Sequence, residues 1–423
     1  MIPYADFFSL GVALYVTFVA AMAGLLDWLR QTRLWVVVAT AVMLVLTFSG
    51  SQVLWHGAKG QVVTVPTLAF VLAYAFFQYI VARAWLAVRI RGKRQWAYCT
   101  VIGLALAPLV VAKLGNHLAP SDVLGFLGIS YLTFRCVDTV IGIQDGLITD
   151  LPLVQYLAFL LFFPTLSAGP IDRYRRFEQD WTGNPTASAQ RGSGQTATAI
   201  PLVSPAAGTG RSRTRAEWLN DLDGALQRLF RGLLYKFILA SLIRQYWLNP
   251  AAHMPGLLGT LSYMYAYSFY LFFDFAGYSA FAIAFSYVLG IHTPENFNRP
   301  FLARDIRDFW NRWHITLSYW FRDHIYMRFV LAATRGKWFK DRHLASYGGF
   351  LLSMGLMGAW HGLTWYYLIY GLYQAALLIG HDVFSRWNKQ HHVLHGPAWT
   401  AASIALTFNA VCFGLLLFSG HLA

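Results

Sequence analysis

The 423-residue chain is short of charge. Asp, Glu, Lys and Arg make up only 12% of it, against 57% hydrophobic and 17% aromatic residues. Soluble domains carry about 25% charged residues, so the deficit excludes a soluble globular protein and leaves a helical membrane bundle. Cysteine is scarce as well. Cys99, Cys136 and Cys412 lie far apart, with no C-x-x-C and no Cys/His cluster. That excludes a disulfide framework and a thiolate metal site, and each reads as a small buried hydrophobe. Several catalytic signatures are missing: there is no G-x-S-x-G elbow and no H-E-x-x-H, and RGSGQ (191–195) lacks the GK[ST] ending of a P-loop. The opening MIPYADFF has no basic stretch, and no small-residue cleavage site follows its apolar run. The first apolar segment is therefore expected to stay as a transmembrane helix. No internal repeat is visible, whereas a transporter of repeated halves would show one.

Acidic residues are scarcer than basic ones, 19 against 33, for a formal net charge of +14. In a membrane chain this excess points away from nucleic acid. It suits basic cytoplasmic loops, anionic lipid headgroups and an acidic cytoplasmic partner.

A spanning helix needs about 20 apolar residues. Candidate spans run over 7–28, 34–55, 64–88, 96–115, 123–147, 151–168, 257–291, 345–361, 363–383 and 398–419, with a further helix at 217–247. Ten or eleven crossings are expected. Basic runs at Arg89–Arg94, Arg173–Arg176 and Arg335–Arg342 are expected in the cytoplasm by the positive-inside rule. Parity between the first and second of these runs requires that 123–147 or 151–168 fail to cross. Arg135 and Asp138, three apart, are expected to pair. The Gly-, Ser-, Thr- and Pro-rich stretch 182–215 reads as a flexible linker. Asp221 and Asp223 imitate a glycosyltransferase metal motif, and acids favouring a helix start explain them better. The run 257–291 exceeds one bilayer and must tilt, bend or divide near Asp274–Gly277. Asp274, a lone carboxylate in FFDFAGYS (272–279), is either a catalytic acid or a structural acceptor, and the structural reading is favoured.

What the sequence does have is a histidine pair in matching settings. His314 lies in FWNRWHITLSYWFRDHIYMRFV (309–330) and His361 in MGAWHG (357–362), each directly after a tryptophan. Trp310, Trp313, Leu317, Trp320, His324, Met327 and Leu331 recur at helical steps and predict one helical face. Basic residues flank both ends, so this helix is expected along the inner membrane surface or dipping into it. A titratable side chain in apolar sequence is costly and marks a functional site. A neutral histidine in an apolar channel suits a general base, whereas a lone membrane histidine is more often bonded to a backbone carbonyl; the second Trp-His word favours the former. Two decoys are set aside: His117 to Asp122 fits an H-x4-D acyltransferase pattern in a loop broken by Pro120, and His391, His392 and His395 read as a solvated tail cluster. With no Ser or Cys nucleophile evident, direct transfer from an activated acyl donor to a hydroxyl is the economical mechanism.

The words SAGPIDRYRRF (167–177), FFDFAGYS (272–279), TPENFNRPF (293–301), FWNRWHITLSYWFRDHIYMR (309–328) and MGAWHGLTWYYLIYGLY (357–373) resemble the membrane-bound O-acyltransferase (MBOAT) superfamily, and within it the DltB-type D-alanyl transferases of teichoic acid modification. Alginate O-acetyltransferases share the two histidine words but match the flanking residues less well. The resemblance implies an all-α ring of about eleven transmembrane helices, with re-entrant and interfacial pieces, around a central tunnel in a single membrane domain. It implies His361 as the catalytic residue and His314 as its partner, with Trp313, Ser318, Trp360 and Asp274 assigned to the tunnel. It implies a multi-pass protein of the cell membrane that binds no cofactor or metal itself. Its donor is a D-alanyl carrier protein (DltC-like) bearing 4'-phosphopantetheine; its other partners are DltD-like and small DltX-like membrane proteins. Carrier proteins present an acidic helix with an apolar centre. Met327, Val330 and Leu331, with Arg342 among the basic residues after them, are expected to form the docking patch.

Overall fold

The computed structural model of the chain describes residues 4–23, 33–56, 62–90, 92, 95–118, 127–182 and 215–423. The interior of the proposed linker, residues 183–214, lies outside the described residues, as do Arg91, Lys93, Arg94 and Pro120 to Asp122. The chain falls into two compact units. The first comprises Met1–Asn116, Pro120–Leu229 and Phe281–Thr293; the second comprises His117–Ala119, Phe230–Ala280 and Pro294–Ala423.

The first unit opens with α1 (Phe7–Ala23) and α2 (Leu34–Thr47), followed by a hairpin of β1 (Ser51–His56) and β2 (Val62–Pro66), then α3 (Thr67–Ile90) and α4 (Gln95–Leu118). The hairpin corrects the expected all-helical span 34–55. The helix stops at Thr47, and the β-branched residues Val53, Val62, Val63 and Val65 suit an antiparallel pair instead. Next come α5 (Ile129–Gln144), α6 (Leu153–Leu161) and α7 (Tyr174–Thr182). At nine residues, about 14 Å, α6 is too short to cross a ~30 Å hydrocarbon core alone.

Arg135 is fully buried and does not pair with Asp138. Its guanidinium donates to the carbonyls of Phe159 (2.8 Å), Leu160 (2.9 Å) and Thr165 (2.6 Å), and to the Thr165 hydroxyl. The first two are carbonyls at the end of α6, which the helix itself cannot satisfy. The planar five-donor fork serves that end better than an ion pair would. Asp138 instead lies 3.9 Å from Arg173. Farther on, Arg176 binds Asp172, Asp180 and the His292 carbonyl. The His292 amide donates to Asp180 at 2.6 Å, and its ring nitrogen Nε2 lies 2.9 Å from Asp221. Asp221 is thus tied to an imidazole rather than acting as a helix-start charge. Burial alone would raise the Asp180 carboxyl, but the bonds from His292 and the charge of Arg176 outweigh it and hold it well below the usual range.

Two long helices follow. α8 starts at Arg215 and continues through π turns at Leu233–Ala240 and Arg244–Leu248 to Ala252. α9 (Gly256–Val288) runs 33 residues without dividing, which leaves tilting or bending among the expected alternatives.

The second unit continues with α10 (Ile306–Trp310), α11 (Ile315–Phe321, extended through a π turn to Met327–Arg335), α12 (Arg342–His361), α13 (Trp365–His391) and α14 (Gly396–Ser419). The single face expected over 310–331 is not formed, because the helix breaks at 311–314. Asp305 caps α10, accepting from the amides of Arg307 and Asp308, and Asp341 caps α12. α12 and α13 meet backbone to backbone. A Cβ on Gly358 would stand 2.4 Å from the Tyr367 carbonyl, and one on Gly371 would stand 2.5 Å from that of Met354. Small residues at such crossings are what let membrane helices pack closely. Among the described residues, Thr67–Ile90, Gln95–Gly115, Gly256–Val288 and Gly396–Ser419 are long and apolar enough to cross a membrane. No group of three metal-ligating side chains occurs among the described residues, including the 391–395 histidines.

Replacing Arg135 by Met should leave buried carbonyls without donors and cost about 3 kcal/mol or more; Arg135→Lys should recover only part, since one ammonium cannot span the same acceptors. Thermal unfolding in detergent measures both. Wild-type midpoints for the two variants would remove Arg135 from this role.

Candidate active site

His314 stands in the turn between α10 and α11 with a left-handed backbone, φ 43° and ψ 51°. That conformation costs a residue with a side chain about 1–2 kcal/mol and persists only where the surroundings enforce it. Here an antiparallel run of chain does so. The Asn298 amide donates to the Arg312 carbonyl at 2.9 Å, and the Ile315 amide to the Asn296 carbonyl at 3.0 Å. Phe297 and Trp313 form an antiparallel bridge between those bonds.

The His314 ring is 5% exposed. Its Nδ1 lies 3.0 Å from Asn296 Oδ1, which also accepts from the Thr316 hydroxyl at 2.9 Å, while Asn296 Nδ2 donates to Ser279 Oγ at 3.2 Å. An amide oxygen can only accept, so Nδ1 carries the proton and Nε2 keeps its lone pair. Phe275 packs edge-on at 4.8 Å. The turn lies outside the spanning helices, and burial depresses the imidazole to about 3, with the nearby His361 adding to the shift. His314 is therefore neutral near pH 7 and presents an acceptor nitrogen.

His361 is the last residue of α12 and is half-buried. Trp360 tilts against it at 4.5 Å, Phe418 meets it edge-on at 4.8 Å and Tyr367 stacks at 6.0 Å. Gly362 ends the helix in an extended conformation, φ 179°. A Cβ there would sit 2.6 Å from the Tyr367 ring, so glycine admits that ring over the turn. The electrostatic coupling of His314 to His361 brings the two sequence-predicted histidines into one neighbourhood.

The other predicted residues vary in what they offer. Trp313 is buried among Phe309 (5.6 Å), Phe297 (5.1 Å) and Phe272 (6.2 Å) as a packed core ring. The Ser318 hydroxyl donates to the Trp313 carbonyl at 3.0 Å. Trp360 covers one side of His361. Asp274 pairs with Lys236 on the π turn of α8 at 2.5 Å. On α11, Met327 and Leu331 are 54% and 50% exposed. Val330 is half-buried, its methyl 3.0 Å from where a Gly349 Cβ would be. Arg342 is exposed at the start of α12. Sequence reasoning assigned no role to Asn296, Thr316 or Ser279. TPENFNRPF contains Asn296, but nothing in that word announces a bond to a ring 18 residues away.

A family model described as MBOAT, membrane-bound O-acyltransferase family, matches residues 25–419. The teichoic acid D-alanyltransferase of Bacillus subtilis (strain 168) is 38% identical, over 99% of this chain and 98% of the relative. That of Lacticaseibacillus rhamnosus is 37% identical, over 93% and 96% respectively. A probable alginate O-acetylase, AlgI, of Azotobacter vinelandii is 29% identical over 60% of this chain and 43% of its own length.

The depressed His314 has a measurable consequence. An unfolded imidazole, near 6.5, takes up a proton that the folded one refuses until about 3. The unfolded state therefore binds more protons in that window, and stability falls as pH drops below about 6.5. Replacing His314 with Asn should flatten the fall in melting temperature between pH 7 and pH 5 relative to wild type. Parallel curves for the two proteins would contradict the buried, neutral assignment.

Proposed function

The chain belongs to the membrane-bound O-acyltransferase family and is an acyltransferase, and from that premise we propose that it moves a D-alanyl group from a carrier-protein thioester to a hydroxyl on the route to teichoic acid. The observation that carries this reading is the histidine pair: a buried, neutral His314 within electrostatic reach of His361. The near-complete coverage by teichoic acid D-alanyltransferases supports D-alanine over acetate, since the alginate relatives match at lower identity and over part of the chain.

The balance of the reaction is simple. The acceptor hydroxyl oxygen attacks the thioester carbonyl, an ester C–O bond forms and the C–S bond breaks. The hydroxyl proton passes to His361 and is returned to the departing sulfur, so the donor leaves as a thiol. His314, with its Nε2 lone pair, orients the donor or shares that proton by hydrogen bonding. Trp313 and Ser318 hold the His314 turn, Trp360 walls the His361 ring, and Asp274 with Lys236 fixes α9 against α8 beside the tunnel. The 4'-phosphopantetheine stays on the carrier protein. DltD-like and small DltX-like membrane proteins take the product onward. The protein is a multi-pass protein of the cell membrane, a ring of about eleven spans around a thin centre, with anionic lipid at its basic cytoplasmic rim.

The carrier docks on the exposed face made by Met327 and Leu331, flanked by Val330 and by Arg335, Lys337, Lys340 and Arg342. The pairing of exposed apolar side chains with a basic border supports this, because it complements an acidic helix with an apolar centre.

Purified enzyme in proteoliposomes, given D-alanyl-loaded carrier, tests the chemistry. His361→Ala should lower transfer by about 10²–10⁴-fold while assembly and carrier binding persist, and His314→Asn should retain partial activity. Near wild-type transfer by His361→Ala would end this mechanism.

Docking is tested by carrier binding alone. Leu331→Asp should weaken it strongly, and Arg342→Glu should weaken it in a manner that high salt masks. Unchanged affinity in both folded variants would put the carrier elsewhere.

A further inference from the structure

α12 leaves the basic stretch ending at Arg342 and reaches His361 after 20 residues, about 30 Å, and α13 then returns. The far end of this pair, with the start of α9 and the end of α14, has an unusual makeup. Residues 245–273, 343–381 and 390–423 contain no Asp, Glu, Lys or Arg. They do contribute phenols. Tyr263 stacks on His421 at 3.7 Å and on Tyr267 at 5.8 Å. Tyr267 lies within electrostatic reach of Tyr366 and Tyr367. Tyr366 leans over the turn at Gly420, where an added Cβ would stand 3.3 Å from its ring, and lies 4.5 Å from Tyr367. Tyr367 in turn stacks on His361. All of these rings are half-buried rather than sealed in the core.

We propose that Tyr263, Tyr267, Tyr366, Tyr367 and His421 line the acceptor subsite, and that the group acylated at His361 is an uncharged hydroxyl-bearing moiety, not a phosphate-bearing one. Phenol edges hydrogen-bond to alcohols, and their faces stack on the C–H groups of a polyol. A phosphate brought to the same spot would lose water and find no lysine or arginine on these three segments to replace it, a costly transfer in an apolar setting. The subsite therefore selects against polyanion at the point of reaction, while the charged remainder of any acceptor stays outside. The proton and bond changes are those given above: the hydroxyl becomes the ester oxygen and the thioester sulfur leaves as thiol.

This rests on the acyl-transfer reading, and the test separates the two. Detergent-solubilised enzyme and D-alanyl-loaded carrier are given glycerol or glycerol 3-phosphate, which differ only by the charged group. Glycerol should be acylated with a KM at least about tenfold lower. Tyr366→Phe and Tyr263→Phe, which keep the rings and remove the hydroxyls, should each raise the KM for glycerol several-fold without altering carrier binding. Equal or better use of glycerol 3-phosphate, or a wild-type glycerol KM in both variants, overturns the subsite. If D-alanine is transferred to neither acceptor but acetyl from acetyl-loaded carrier is, the D-alanyl reading fails and the same acceptor comparison, run with acetyl, decides the subsite. Transfer from neither donor to either acceptor overturns both.

Discussion

A single amide side chain sets the geometry on which the His314 turn depends. Asn296 uses its oxygen for His314 and Thr316 and its nitrogen for Ser279, so it joins α9, the loop after it and the start of α11. Each of these polar atoms is buried, and a buried polar atom left without a partner costs about 1–3 kcal/mol. The set is satisfied together or lost together. The left-handed backbone at His314 is tolerated because this network and the paired segment 296–298 leave the chain no better alternative.

That dependence explains what was legible in the sequence and what was not. The two Trp-His words were legible because a titratable group in apolar sequence is rare, and the surrounding words carry the family resemblance. The break at 311–314 was not. Trp310, Trp313, Leu317 and Trp320 keep helical spacing across it, since a short turn flanked by two helices can preserve the phase of its apolar residues. The partner that fixes the turn lies 18 residues away and makes its bond through a side chain. Periodicity cannot report that. The hairpin at 51–66 was hidden for a related reason: valine-rich sequence beside an apolar helix reads as more helix until the backbone pairing is seen.

Arg135 illustrates a different limit. Spacing on one helix predicts which side chains are neighbours, and Asp138 is a neighbour. It does not weigh a carboxylate against unsatisfied carbonyls at the end of another helix. A fully buried guanidinium has five donors to place, and one carboxylate near the rim of the core would leave several unbonded. Carbonyl acceptors from α6 and Thr165 serve the two terminal nitrogens together, while Nε has no hydrogen-bond partner, and Asp138 lies beside Arg173.

The distribution of charge in the second unit suits the role proposed for the histidine pair. The proposed conversion of a thioester and an alcohol into an ester and a thiol begins and ends with neutral reacting groups. Charge appears only in passing, as the hydroxyl proton leaves and before the sulfur receives one. In a low-dielectric site, separated charges are expensive, and a fixed ion nearby would bias one half of that passage at the expense of the other. A neutral imidazole that accepts and returns one proton keeps the separation short. The charge-free stretches around His361 and the neutral state of His314 are consistent with such a path. The basic residues gather instead at the start of α12, about a helix length from His361, which in the proposed arrangement keeps the docking charges away from the proton transfer.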